Sequence, residues 1–162
     1  MNIFFELLED GIFASIAAIG FASISNPPMK AYPFCAGIAA AGHITRYILM
    51  NFAGYHIILS SFAAAFVTGI ISLPAARRIK SPAECISFPA MLPMIPGMYA
   101  YRSIQSLIKC IESTAEPEFI HYMYMLKLNW TTCLLTITGM VLGATLPVFI
   151  FKKFYFKIFL VS

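Results

Sequence analysis

The sequence predicts an all-α integral membrane protein of about five transmembrane helices, the fourth of which is broken. Two observations predict the membrane class: hydrophobic residues make up 60% of the 162 positions and charged residues 11%, and the mean hydropathy is +0.81. The third is a run of helix-breaking residues inside an otherwise apolar stretch. These residues are Pro89, Pro93, Pro96 and Gly97. The length leaves room for a single transmembrane domain, residues 1–162, without a separate soluble domain.

The apolar residues fall into five stretches, each near the ~17–25 residues that a spanning helix needs. They cover about residues 3–25, 31–50, 54–73, 85–101 and 128–151. The first stretch lacks a basic n-region and a clear cleavage site, so it predicts a retained span and not a signal peptide. Pro27 and Pro28 end its helix, and residues 51–54 predict a tight turn after the second stretch.

The two later connections are charged. The third, residues 77–82, is short and basic. The fourth, about residues 102–127, is longer and mixed in charge, and it predicts an amphipathic helix that stops before Glu116 and Pro117. If the proline-rich fourth stretch re-enters the membrane without crossing it, the number of spans falls to four.

The basic residues predict the orientation of the chain. With five spans, seven of them fall on one side and three on the other. The seven are Lys30, Arg77, Arg78, Lys80, Lys152, Lys153 and Lys157, and the three are Arg102, Lys109 and Lys127. Because the basic side of a membrane protein faces the cytoplasm, we expect a cytoplasmic C-terminus and an N-terminus outside.

Small residues recur every four positions in three of the stretches. They are Ala14, Ala18 and Ala22, then Ser61, Ala65 and Gly69, and finally Gly139 and Gly143. Such stripes let helix backbones approach closely in lipid, although an apolar composition also produces them by itself. Together they predict a compact bundle, alone or with a partner.

Ionisable residues inside the stretches are the best candidates for function, because each is costly in hydrocarbon. His43 and Arg46 are three residues apart and share a helix face. Arg46 lies near the end of its stretch, so its side chain could instead reach the headgroups. Glu6, Glu9 and Asp10 form an acidic face near the start of the first stretch. Asp10 could pair with Arg46 only if the first two helices run offset.

No enzyme, metal or cofactor motif is present in the sequence, and nothing suggests a nucleic-acid partner. The four cysteines are scattered without a C-x-x-C pair. Trp130 predicts an interfacial anchor at the start of the fifth stretch. Asn129, Thr131 and Thr132 could either hydrogen-bond between helices or face a polar cavity.

In order and spacing, these motifs resemble the small membrane subunit of the bacterial threonine/serine exporter family over almost the whole chain. The most specific motif is Pro89-x-x-x-Pro93-x-x-Pro96-Gly97-x-x-x-Tyr101; the others are Asp10, Asn26 to Lys30, Gly42-His43-x-x-Arg46, Glu116-Pro117 and Asn129. The resemblance implies a subunit like the C-terminal half of the exporter, in the bacterial plasma (inner) membrane. It would export small hydrophilic metabolites, driven by the membrane potential or a proton gradient. A larger half with a cytoplasmic region would be its partner, and a homo-oligomer stays open.

Two related five-span halves in series would have opposite orientations, and substrate would bind between them, near the broken helix. The predicted substrate-binding residues are Arg46, His43, Pro93, Pro96, Gly97, Tyr101, Asn129 and Thr132, and the predicted proton-coupling residues are Asp10 and His43. Arg46 would hold a carboxylate, and free carbonyls at the break would hold an ammonium group. A small amino acid is the leading substrate. The alternatives are a dicarboxylate such as succinate, which wants two cations, and a scaffold protein that transports nothing.

Overall fold

The computed structural model describes residues 3–159, apart from the side chains of Phe4 and of residues 152–159. This part of the chain contains six α-helices, two short 3-10 helices and no strand. The α-helices are α1 (Ile3–Ser25), α2 (Tyr32–Asn51), α3 (Ile57–Ile79), α4 (Glu84–Met91), α5 (Gly97–Glu112) and α6 (Glu116–Phe159). The 3-10 helices are Met29–Ala31 and Leu92–Met94. The predicted all-helical class is confirmed.

Three helices are long and apolar enough to cross a membrane by length and composition. They are α1 over Phe5–Ser25, α3 over Ile57–Ile79 and α6 over Glu116–Phe151. The total of five spans therefore stays a prediction. It depends on how α2 and the broken fourth stretch lie in the bilayer.

α1 and α2 pack against each other along the predicted alanine stripe. Ala14, Ala18 and Ala22 are buried in one core with Cys35 and other residues of α2. The Ser15 hydroxyl crosses the seam and donates to the Ala36 carbonyl at 3.0 Å. The chain reverses after α1 because Asn26 adopts a left-handed conformation, with a φ of 46°, and two prolines follow it.

α3 extends beyond the predicted stretch 54–73. His56 caps its N-terminus by accepting from the Ile58 backbone N–H, and Lys80 ends it in a left-handed conformation. Arg77 and Arg78, which the sequence predicted to lie in a connection, therefore form the last turn of α3. Cations are favourable there because the carbonyl end of a helix is negative.

α3 and the C-terminal part of α6 meet at the predicted glycines. A Cβ atom built on Gly69 would lie 2.7 Å from the Ala144 carbonyl oxygen. A Cβ atom on Gly143 would clash with the Phe62 carbonyl oxygen and lie 3.2 Å from the Ala65 Cβ. Only glycine permits this approach of the two backbones.

The fourth stretch is broken, but Pro89 does not break it. Pro89 is buried inside α4, where it removes one intrahelical hydrogen bond two residues before the helix ends. The break itself covers residues 92–96, which form a 3-10 turn followed by a second turn at Pro96. There Gly97 N–H donates to the Ile95 carbonyl at 2.8 Å, and Pro96 has φ −77° and ψ 63°. These angles define an inverse γ-turn, which redirects the chain into α5.

The predicted fourth connection is mostly helical. α5 begins at Gly97 and ends before Glu116, as expected of the amphipathic helix, but α6 starts at Glu116 and continues into the fifth stretch. Pro117 does not prevent this, because the first turn of a helix has no use for its missing N–H.

The chain divides into two compact units. Unit 1 comprises Met1–Met94 and Gly139–Ser162, and unit 2 comprises Ile95–Thr138. The side chains of Lys152, Lys153 and Lys157, which contribute to the predicted orientation, lie outside the described residues.

Candidate functional site

The first candidate site lies in unit 1, where α2 faces α1, α3 and the start of the helix break. Gly42 allows α2 to come close to Thr68 of α3 and to Met94 of the break. A Cβ atom on Gly42 would lie 2.6 Å from the Thr68 hydroxyl oxygen and 3.2 Å from the Met94 Cε. His43 follows Gly42 and is 6% exposed. The sequence thus places a buried imidazole beside the backbone of the broken segment.

Asp10 pairs with His43, and not with Arg46 as the sequence analysis had considered. His43 Nδ1 lies 3.3 Å from each carboxylate oxygen of Asp10. The register of the antiparallel helices α1 and α2 explains the partner. Ser15 bonds to Ala36, and Tyr47 donates to the Glu6 carboxylate. In this antiparallel register, Asp10 of α1 lies opposite His43 of α2. Arg46 lies almost one helical turn further along α2.

Arg46 binds the backbone of the break. Its Nη1 donates to the Met94 carbonyl oxygen at 2.8 Å, and Met94 is fully buried. In an unbroken helix that carbonyl would accept from the N–H four residues later, but α5 begins anew at Gly97, with Tyr99 and Ala100 bonding to Pro96. The guanidinium therefore satisfies a carbonyl that the break has freed.

The second ring nitrogen of His43 is buried and has no hydrogen-bond partner among the described residues. The Pro93 carbonyl, which can only accept a hydrogen bond, lies near the ring. An ionised Asp10 only accepts, so a neutral His43 that bonds to it carries its hydrogen on Nδ1 and leaves the Nε2 lone pair free. Asp10, His43, Arg46 and the Pro93–Met94 backbone form what we call the Arg46 cluster.

The remaining predicted residues belong to unit 2. Pro96 is the N-cap of α5 and Gly97 its first residue. A Cβ atom on Gly97 would meet no described atom within 4 Å. Tyr101 is 60% exposed, whereas Thr132 is buried, and its carbonyl accepts from Thr136.

Asn129 lines a polar cavity between α5 and α6, one of the two environments that the sequence left open. The cavity has a volume of about 220 Å³. It is lined by Arg102, Gln105, Ser106 and Lys109 of α5 and by Tyr122, Met125 and Asn129 of α6. We call it the α5/α6 cavity. Arg102 and Lys109 belong to the predicted amphipathic connection, and the spacing of three, four and seven places the α5 lining residues on one helix face.

An uncharacterized protein of Haemophilus influenzae is 36% identical over 104 residues, which are 64% of this chain and 35% of the relative. The match thus covers about a third of the relative's length. No solved structure matches the chain.

The family described as "Threonine/Serine exporter, ThrE" matches residues 10–150, which include the Arg46 cluster, the break and the α5/α6 cavity. Together with the long apolar helices, this match indicates a multi-pass membrane protein. The chain belongs to the threonine/serine exporter family.

Proposed function

We propose that the chain is the transmembrane subunit of an exporter that moves small hydrophilic amino acids out of the cytoplasm. The observation that carries this proposal is the Arg46 cluster. Arg46 is bound to a carbonyl freed by the broken helix, and an Asp10–His43 pair lies on the same side of α2. Charges inside an apolar bundle are costly, and such residues commonly mark a transport pathway.

The cluster suits a zwitterion. The Arg46 fork has five N–H donors, one of which is used by the Met94 carbonyl, so others remain for a substrate carboxylate. The carbonyls at the break and the Asp10 carboxylate can accept from an ammonium group. An amino acid needs one cation and one set of acceptors, and the cluster supplies both.

We infer that transport is secondary active and coupled to protons through Asp10 and His43. Nε2 of His43 can accept a proton while Nδ1 stays bonded to Asp10, so a proton can be taken up without breaking the pair. The proposal includes no enzymatic step. It places the chain in the bacterial plasma membrane, with the N-terminus outside and the C-terminus in the cytoplasm.

A larger half of the same family is the proposed partner. The chain matches only part of its Haemophilus relative, in keeping with an exporter built from more than this segment. The large exposed side chains of α1, including Phe5, Phe13, Ile16 and Ile24, also leave room for lipid or a second subunit.

The test is efflux of preloaded threonine, serine and succinate from cells that express the chain with or without the candidate larger subunit. We expect threonine and serine efflux only with both subunits, and a higher detergent-extracted yield of the chain in the pair. Arg46→Lys should lower efflux on the order of tenfold, because a point charge cannot bind the Met94 carbonyl and a carboxylate in one fork.

Lys30→Gln is the matched control, since it removes an exposed cation outside the cluster. Full transport by a monodisperse monomer of the chain alone would refute the partner. Wild-type efflux by an assembled Arg46→Lys complex would remove Arg46 from the pathway.

A dicarboxylate is the second candidate substrate, because Arg102 and Lys109 line a cavity of their own. Succinate efflux that exceeds threonine efflux would favour it. The scaffold alternative predicts that no substitution in the cluster abolishes flux from an assembled complex.

A further inference from the structure

Unit 2 contains a polar site of its own, formed by residues of α5 and α6. Two cations of α5, Arg102 and Lys109, line the α5/α6 cavity, and none of the described residues that line it is acidic. Neither cation has a carboxylate partner among the residues that the structure describes. Two unneutralised positive charges on so small a cavity raise the local concentration of anions.

A buried hydrogen-bond donor, Asn129, completes the site. Asn129 is 7% exposed, and its Nδ2 donates one hydrogen to the Met125 carbonyl at 2.7 Å. Because the amide nitrogen has two hydrogens, one remains for a ligand. Lys109 Nζ lies 5.2 Å from the centroid of the Tyr122 ring, which helps to hold the ammonium group at the cavity.

The exposed surface of α5 has an apolar face beside the face that carries Arg102, Gln105 and Lys109. Ile104, Leu107, Ile108 and Ile111 are exposed, and Ser103 and Ser106 are buried. An exposed apolar face of this kind fits a helix that lies against lipid or another subunit, with its charged face beside that contact.

We propose that the α5/α6 cavity binds an oxyanion group, a carboxylate or a phosphate, of a small ligand. Arg102 and Lys109 supply the charge, and Asn129 donates a hydrogen bond. A volume of about 220 Å³ is below the ~300–1,000 Å³ of pockets for drug-sized ligands, so the ligand is a small anion or the headgroup of an anionic lipid. The proposal does not depend on transport.

Thermal unfolding of the purified full-length chain in neutral detergent tests binding directly. Inorganic phosphate and acetate serve as soluble probes, with chloride keeping the ionic strength constant. We expect the Tm to rise with probe concentration and to level off. The half-saturating concentration should increase at least tenfold in the double variant Arg102→Gln/Lys109→Gln, because both charges are lost. Both side chains are exposed, so the variant should fold.

Lys127→Gln is the matched control, because Lys127 is an exposed cation of unit 2 that does not line the cavity. It should change the half-saturating concentration less than twofold. An equal loss in this control would show general charge attraction and would overturn the proposed site.

A second arm separates the two sources of the oxyanion. The chain is reconstituted in lipid nanodiscs containing phosphatidylcholine and phosphatidylglycerol, and retained lipid is counted by native mass spectrometry. Phosphatidylglycerol retained by the wild type but not by the double variant assigns the headgroup. Probe binding without retained lipid assigns a soluble anion.

Either assignment supports the proposal. A wild-type chain that shows neither the rise in Tm with phosphate or acetate nor retained phosphatidylglycerol would overturn it. So would the finding that the double substitution changes only the co-purification of the larger subunit, since the cavity would then hold an acidic side chain of that protein.

Discussion

Asp10 and Arg46 show why single residues of the site were only partly predictable. The shared face of His43 and Arg46 follows from their spacing on one helix. The partner of Asp10 does not, because it depends on the register between α1 and α2. That register is set by packing across the seam, where the Ser15 hydroxyl lies 3.0 Å from the Ala36 carbonyl oxygen. A pattern within one helix has no information about this distance.

The Asp10–His43 pair leads to a prediction about energy coupling. Asp10→Asn keeps the shape of the side chain and an acceptor for His43 Nδ1, but it removes the charge. We expect assembly to persist and efflux driven by an imposed pH gradient to fall on the order of tenfold, as expected for the loss of a charge-assisted hydrogen bond. Efflux from preloaded vesicles measures this.

Glu9→Gln is the matched control, because Glu9 is the exposed acid next to Asp10 in sequence. It should leave proton-driven efflux unchanged. If Asp10→Asn shows the same proton-driven efflux as the wild type, the Asp10–His43 pair has a purely structural role.

At the level of elements, the seam between α3 and α6 provides a stability prediction. Gly143→Ala should lower the free energy of unfolding by about 1–3 kcal/mol, because the new methyl group meets the Phe62 carbonyl and both backbones must move apart. Gly20→Ala is the control, since a Cβ atom there meets no described atom within 4 Å. It should be neutral or stabilise by up to about 1 kcal/mol through helix propensity.

Unfolding of the purified protein in detergent micelles, followed by circular dichroism, compares the two variants. The prediction fails if Gly143→Ala is as stable as Gly20→Ala. If the two substitutions change the free energy of unfolding in opposite directions, the close approach of the two helix backbones, and not the apolar composition, explains the small-residue stripe.

The break between α4 and α5 was predictable in kind but not in detail. Prolines near residue 93 interrupt the helix, whereas Pro89 lies inside α4 and removes only one intrahelical hydrogen bond there. The start of α6 was missed for a related reason. Pro117 indicates a helix boundary, but it begins the next helix and does not extend the connection.

Gly97→Leu tests whether the break lies in the substrate passage. The chain has open space at this position, since a Cβ atom meets no described atom within 4 Å. We therefore expect unchanged stability and assembly but loss of efflux, because a leucine side chain would occupy space that substrate needs. Gly37→Leu, at an exposed glycine of α2 with equally open surroundings, is the control.

Efflux of threonine, serine and succinate from assembled complexes separates the outcomes. Normal efflux in Gly97→Leu would exclude this position from the pathway. Loss of assembly in Gly97→Leu alone would indicate a contact with the partner, as the scaffold alternative expects.

For the whole molecule, the open question in the sequence was whether the chain crosses the membrane four or five times. Helix lengths explain why hydropathy could not answer it. α4 has 8 residues and α5 has 16, so at 1.5 Å per residue they are roughly 12 and 24 Å long, and neither alone covers the ~30 Å hydrocarbon layer. A broken crossing and a re-entrant hairpin have the same composition, and they differ only in the side on which α5 ends.

Labelling from outside intact cells distinguishes the two arrangements. Single cysteines replace Ser81, after α3, and Ser113, the C-cap of α5, in a background without the native Cys35, Cys85, Cys110 and Cys133. Five spans and the seven-to-three division of basic residues predict that a membrane-impermeant thiol reagent modifies Ser113→Cys but not Ser81→Cys. Permeabilised cells, in which both should react, are the control. The same result at both positions in intact cells would place the two ends of the broken segment on one side, which requires four spans and the opposite orientation of α6.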